Sequence, residues 1–120
     1  MARTNIAAQS FLGSYPTLPM TAGSADLVFT AVDTVNGDST ALIDSKTTVL
    51  VYNSDVAART VTFTSAPDTL NRAGDITAYS VGAGKVSAFG PFKTVGWAHT
   101  GVLYIDGSNA LVGIAVITLP

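Results

Sequence analysis

Cysteine is absent from this chain, glutamate is absent too, and charged residues of either sign make up only 12% of its 120 residues. Each absence excludes something. Without cysteine there is no disulfide framework, thiolate nucleophile or Cys-ligated zinc, and a domain of this size buries enough surface to fold without such staples. The redox compartment therefore stays open. All 8 acids are aspartate, a turn and strand-end residue, where a helical protein would use the better helix former glutamate. The basic residues Arg3, Lys46, Arg59, Arg72, Lys85 and Lys93 are scattered, and without a basic stripe nucleic acid is not an expected partner. Long apolar runs are missing as well. The longest, Leu111 to Leu119, is far below the ~20 residues of a spanning helix and reads as a strand, so no membrane partner is expected. The start, MARTNIAAQSFLGSYP, is interrupted by Asn5, Gln9 and Ser10 and does not read as a secretory signal. With Met1 in place, the chain is read as a whole product made in the cytoplasm.

What is present is β-type sequence punctuated by turns. Asp75 to Trp97, DITAYSVGAGKVSAFGPFKTVGW, predicts a strand-turn-strand unit. Ile76, Thr77, Tyr79 and Val81 suit a pleated, half-buried surface, and Gly82-Ala83-Gly84 permits the positive φ of a tight turn. Pro91 ends the second strand, because it cannot donate to a ladder, and a bulge or corner there would turn Phe89, Phe92 and Trp97 toward one apolar site. Upstream, Asp26 to Val32 alternates as a first strand, and Val35 to Ser39 reads as a turn or loop around Asn36-Gly37. Thr47 to Asn53 is apolar on both faces and predicts a central strand. Arg59 to Thr64 sets Val61 and Phe63 on one face against threonines on the other, the pattern of an antiparallel sheet. Pro67 to Asp75 is a polar, turn-rich loop. Val102 to Ile105 and Leu111 to Leu119 predict a closing hairpin around Asp106-Gly107-Ser108-Asn109.

About seven short strands with turn signals every ~8–12 residues predict an all-β fold: one small antiparallel β-sandwich, jelly-roll-like or Ig-like in strand order, or a small barrel. Residues 1–23 differ. Pro16 and Pro19 exclude a regular helix across Tyr15 to Met20, yet Ile6, Phe11, Leu12, Tyr15, Leu18 and Met20 are apolar. They are read as an extended N-terminal arm ahead of a sandwich domain of residues 24–120. Such an arm either closes a sheet edge of its own domain or reaches a neighbour, and twenty extended residues span up to roughly 65 Å at ~3.3 Å each.

Reactive chemistry is sparse. His99 is the single histidine, no nucleophile-elbow spacing supports a Ser-His-Asp triad around it, and a loop histidine of this kind is expected at the surface. Asn36-Gly37-Asp38 resembles a fragment of a calcium loop but lacks the alternating ligands and the closing glutamate. Asp68, Arg72 and Asp75 share one loop, where internal pairing is expected rather than a bound cation. Gly82-Ala83-Gly84-Lys85 has neither the spacing nor the following helix of a phosphate cradle. No catalytic residue, metal site or cofactor is therefore expected. Trp97, with Tyr52, Tyr79 and Tyr104, raises a sugar-stacking or peptide-binding platform as the alternative to core packing, and Trp97, in a loop beside Gly96 and His99, is the best candidate for a partner contact.

The order of several segments carries a resemblance. Ala58-Arg59-Thr60-Val61-Thr62, Arg72 to Ser80, Gly82-Ala83-Gly84, Phe89-Gly90-Pro91-Phe92, Gly96-Trp97 and the closing Ala115 to Pro120 are similar to small capsid decoration, or cement, proteins of tailed bacteriophages and prophages. The likeness covers residues 47–120 and extends only loosely to the arm. It implies a virion structural protein on the outer capsid surface, made in the host cytoplasm, whose partner is the major capsid protein and which assembles as a homotrimer at three-fold positions. Under that resemblance the arm bridges capsid subunits, with Phe11, Tyr15 and Leu18 as anchors beside Trp97. The alternative from the binding class is a tail-fibre or baseplate module that recognises cell-surface carbohydrate through Trp97 and nearby tyrosines; a head-completion or tail-tube protein is a third reading.

Overall fold

The structure, a computed structural model, describes residues 2–10, 26–68 and 70–119. Among these, ten strands are formed: β1 Thr4–Asn5, β2 Ala8–Ser10, β3 Thr30–Ala31, β4 Asp38–Ala41, β5 Thr47–Asn53, β6 Arg59–Thr64, β7 Ile76–Val81, β8 Val86–Phe92, β9 Val102–Gly107 and β10 Val112–Thr118. The first sheet runs β1-β4-β9-β6-β7 and the second β2-β10-β5-β8, with β3 also on β10. The all-β sandwich expected from the strand pattern is what forms.

The winding settles the order that alternation leaves open. From β3 onward every connection carries the chain from one sheet to the other, except that β6 and β7 are adjacent in the same sheet. The resulting pair of four-stranded sheets, β4-β9-β6-β7 on β3-β10-β5-β8, has the strand order of a jelly roll. Two expectations are corrected by this. Ile76–Val81 and Val86–Phe92 are not a hairpin, because β7 pairs with β6 and β8 with β5. The two final strands are likewise split between the sheets, β9 against β4 and β6, β10 against β5. A strand with one buried face meets its successor equally well beside it or across the core, and the same glycine-rich turn serves both.

The inward face of β6 follows the predicted alternation, and β5, expected to be apolar on both faces, also buries alternate residues. Val61 and Phe63 of β6, Leu103 and Ile105 of β9, Val49 and Val51 of β5 and Val112, Ile114 and Val116 of β10 are wholly buried. Phe63 lies at the centre of an aromatic group, 4.7 Å from the Phe89 ring and 5.3 Å from that of Phe92, with Trp97 edge-on to Phe92 at 5.1 Å. The common apolar site expected for Phe89, Phe92 and Trp97 is therefore built, and Phe63 from the opposite sheet completes it. Asn53 is the buried polar pin. Its Nδ2 donates to the carbonyls of Ala57 and Val81, both at 2.9 Å, and its Oδ1 accepts the Asp55 N–H, so the end of β5 holds the turn before β6 and the end of β7 together.

Two upstream elements differ from expectation. The strand foreseen over Asp26 to Val32 shortens to Thr30–Ala31, and β4 begins inside the stretch read as a loop. Asp38, Ser39 and Thr40 are buried despite their polarity, so no hydrophobic pattern announces that strand. The Asn36-Gly37 turn itself forms, with Gly37 at φ +77° donating its N–H to Asp33.

The described part of the arm is bound into the sandwich. Thr4–Asn5 pairs parallel with β4, and Ala8–Ser10 pairs parallel with the C-terminal half of β10, beside the short antiparallel β3. One segment thus covers an edge of each sheet, and the sheets are mixed rather than purely antiparallel. Ile6 between the two pairings is buried, and its carbonyl accepts the Thr40 hydroxyl at 2.9 Å. The Gln9 amide both donates to and accepts from the backbone of Val28, closing the gap between β2 and the approach to β3. Deletion of residues 1–10 is therefore expected to destabilise the sandwich by roughly 3 kcal/mol or more, from lost Ile6 burial and an orphaned Thr40 hydroxyl. Urea unfolding checks this; an unchanged midpoint would show the segment to be a dispensable appendage.

Candidate functional site

One end of the sandwich carries a cleft of about 230 Å³ lined by the loop after β6 and by the turn before β9. Ser65, Asp68, Arg72 and Gly74 form one wall, Val95, Gly96 and Trp97 the other. The loop is held by its own aspartates. Asp68 Oδ1 accepts the N–H groups of Leu70 and Arg72, and its Oδ2 accepts Arg72 Nε at 2.7 Å and Nη2 at 2.6 Å. The Arg72 hydrogen bonds hold the Asp68 carboxyl below the usual carboxylate range. Asp75 closes the base of the loop. Its Oδ1 accepts both the hydroxyl and the N–H of Ser65, each at 2.7 Å, which holds that carboxyl low as well. The expected internal pairing is seen for Asp68 with Arg72, whereas Asp75 is held by Ser65 instead.

The opposite wall is a tight turn over Thr94–Trp97, anchored at its start by Asp44, whose Oδ1 accepts the Thr94 N–H at 2.9 Å. Gly96 at φ +97° takes a left-handed conformation there and accepts the Ala66 N–H through its carbonyl, tying the two walls together at 2.8 Å. Trp97 is half-buried: one edge faces Phe92 and the core, and the remainder lines the cleft. Arg72 stands over the mouth with 73% of its side chain exposed, so its charge is available to a ligand even while Asp68 holds it in place.

The other aromatics are dispersed, and the four-residue platform is not formed. Tyr52 packs on Phe29 at 5.7 Å, Tyr79 lies edge-on to Phe89 at 5.2 Å, and Tyr104 is held between Arg3 and His99. His99 is partly buried rather than free in solvent. Its ring stacks on Tyr104 at 4.0 Å, nearly parallel, and its Nε2 bonds to the Thr64 carbonyl at 2.9 Å. Ser65, Asp75 and His99 come near one another, but the Ser65 hydroxyl donates straight to the carboxylate. That is not the nucleophile-base-orienter order of acyl-transfer chemistry. Among the described residues no group of three or more His, Cys, Asp or Glu side chains could hold a metal ion, and no helix is long and apolar enough to cross a membrane. Of the expected contact residues only Trp97 is placed; Phe11, Tyr15 and Leu18 lie outside the described residues.

A second polar cluster escaped sequence reasoning. Arg3 lies over the Tyr104 ring at 4.1 Å, and its Nη1 donates to the Asp38 carbonyl at 3.1 Å and to Asp106 Oδ1 at 3.0 Å. Asp33 sits beside it, its Oδ2 accepting the Thr4 hydroxyl at 2.7 Å. The backbone N–H of Asn36, the Thr4 hydroxyl and the Val35 N–H bring the Asp33 carboxyl down to about 2. Arg3 and Asp38 are far apart in the chain and meet only through the parallel β1-β4 pairing, which leaves no sequence signal. No family model, curated protein or solved structure matches the chain.

The low carboxyls set a direction for pH. Asp33, Asp55, Asp68 and Asp75 are all depressed in the fold, so the stability they contribute is complete above the ordinary carboxylate pKa of about 4 and is lost as pH falls through their folded values. Asp75→Asn is expected to flatten the acid limb of a thermal-melting profile and to loosen the cleft wall, read as increased solvent quenching of the single Trp97. An acid limb identical to the parent's would remove the Asp75 clasp from the account.

Proposed function

We propose that the chain is a virion structural protein that decorates the icosahedral capsid of a tailed bacteriophage, binding between subunits of the major capsid protein. The observation that carries this reading is the side of the sandwich that no described strand covers. There the edge strands β7 and β8 lie side by side, and between Asp75 and Lys93 the only charge is Lys85. Tyr79 and Val86 are exposed on these strands, as are Ala78 and Ala88. Natural sandwiches ordinarily blunt such edges with charge, whereas a low-charge, rigid edge suits permanent docking on a large protein surface. Modest contacts suffice, because many symmetry-related copies reinforce one shell. The segment similarity to cement proteins supports the same reading, and a trimer at three-fold positions is its natural assembly.

Co-sedimentation tests it. The purified chain is expected to bind expanded, undecorated heads saturably and unexpanded procapsids not at all. The double variant Tyr79→Asp with Val86→Asp, which keeps the core intact, is expected to lose at least tenfold in affinity, about 1.4 kcal/mol. Equal binding by parent and variant removes this face from the contact; no binding by the folded parent removes the decoration role.

The cleft favours one other reading, a carbohydrate-binding module of a tail fibre or baseplate, since an indole wall beside an exposed guanidinium is a common way to hold a sugar ring. A glycan panel read by Trp97 fluorescence separates the two. Saturable quenching lost in Trp97→Ala supports the module, and a flat response across the panel supports decoration.

A further inference from the structure

The Asp38 side chain has no role in the cleft or on the β7-β8 face, yet it is the most deeply buried acid among the described residues. It is wholly buried, and its residue is the register partner of Thr4 in the parallel β1-β4 pairing. Oδ2 accepts the Asp33 N–H at 3.0 Å, while Oδ1, also buried, has no hydrogen-bond partner among the described residues. An ionised carboxylate is acceptor-only and is costly to bury with an oxygen unpaired, whereas the protonated form carries its own donor. Three charged groups face it: the carboxylates of Asp33 and Asp106, which disfavour its ionisation, and the Arg3 guanidinium, which favours it. Arg3, however, directs its hydrogen bonds to the Asp38 backbone carbonyl and to Asp106, not to the Asp38 carboxyl. His99 reaches this cluster only through the far side of the Tyr104 ring.

We propose that Asp38 is a proton-operated clasp: with its carboxyl protonated, residues 2–10 stay seated on both sheets, and loss of that proton loosens them. The ionised side chain needs water, and the N-terminal segment is paired directly against it, with Thr4 as the register partner of Asp38. Next to Asp38 that segment is held by the Thr4 N–H to Gly37, the Thr4 hydroxyl to Asp33, the Ile6 N–H to Ser39, the Thr40 hydroxyl to the Ile6 carbonyl and the Arg3 contacts, and beyond them by the β2 pairing on β10 and the Gln9 bonds to Val28. Its release would expose the free edge of β4, the C-terminal half of the β10 edge, and the face of Tyr104 that Arg3 covers. Both edges would then be open to a strand from elsewhere.

Burial pushes the Asp38 carboxyl above the ordinary range, opposed mainly by the Asp33 N–H it accepts. A raised folded value means that the stability contributed is complete below the unfolded pKa and is lost as pH rises through the folded one. The seated segment should therefore open up to about tenfold more per pH unit, from about pH 4 upward, and level off once Asp38 is ionised in the seated state. Asp33, held near 2, is ionised throughout that window and adds no slope.

The experiment is amide hydrogen exchange on the full chain, followed residue by residue between about pH 4 and about pH 8 and expressed as protection factors, together with a carboxyl carbon NMR titration of Asp38. Amides of β5, in the middle of its sheet, report global opening. The expected result is that Ile6 and Thr4 lose protection with rising pH relative to β5, that Asp38 titrates above the ordinary carboxylate range, and that Asp38→Asn holds the segment at constant protection. A pH-independent Ile6, or an Asp38→Asn protein with the parent's slope, overturns the proposal. Should Asp38→Asn not fold, the titration on the parent decides: an Asp38 that titrates in the ordinary range overturns it, and one that titrates above it, in step with the Ile6 change, upholds it.

Discussion

The contact of Phe63 with Phe89 and Phe92 across the sandwich is the interaction on which the remaining structure depends. Phe63 is wholly buried on β6, and its two partners stand on β8 in the opposite sheet. Apolar area removed from water is the dominant favourable term, and aromatic rings supply more of it per residue than the valines around them. Joining the two sheets at this point brings β7 and β8 together along one side. It also places the β8 end close enough to the following turn for Trp97 to close the core at the cleft.

Polar groups then define the periphery. Asn53 satisfies the strand ends at one place, Ser65 with Asp75 closes a loop at another, and Arg3 with Asp106 fixes the N-terminal strand. Small residues allow these clusters to form. A Cβ on Gly37 would lie 2.6 Å from Arg3 Nη1, and one on Gly107 would lie 2.8 Å from Val32 Cγ1, so the backbone approaches that seat Arg3 and Val32 require glycine at both positions. The two sides of the sandwich end up unlike each other. One has its edges covered by residues 4–10 and by β3, whereas on the other no described strand covers β7 and β8, which carry little charge. That asymmetry is what the decoration proposal builds on.

A jelly roll by itself assigns no activity, because capsid proteins, lectins and enzymes all employ it. What narrows the proposal is the combination of a packed sandwich, a side of low charge and a segment that caps the opposite edges. The decoration reading uses the first two. The Asp38 clasp gives the third a mechanism of its own, independent of which surface the protein meets.

The sequence alone determined the class of fold and much of the core. Period-two alternation marks a strand with one buried face whatever its partner, so β6, with Val61 and Phe63 inward, was legible, as were the apolar run of β5, the turn at Asn36-Gly37 and the convergence of Phe89, Phe92 and Trp97. Only the tertiary structure decided which strands are neighbours. Alternation states that a face is buried but not whether the next strand covers it from the side or from across the core, and both supposed hairpins turned out to cross between sheets. Nor could it reveal β4, whose Asp38, Ser39 and Thr40 are polar yet buried, or the meeting of Arg3 with Asp38 and Asp106. Those groups lie far apart along the chain, and what brings them together is the pairing of the N-terminal strand, a long-range contact that no local residue pattern encodes.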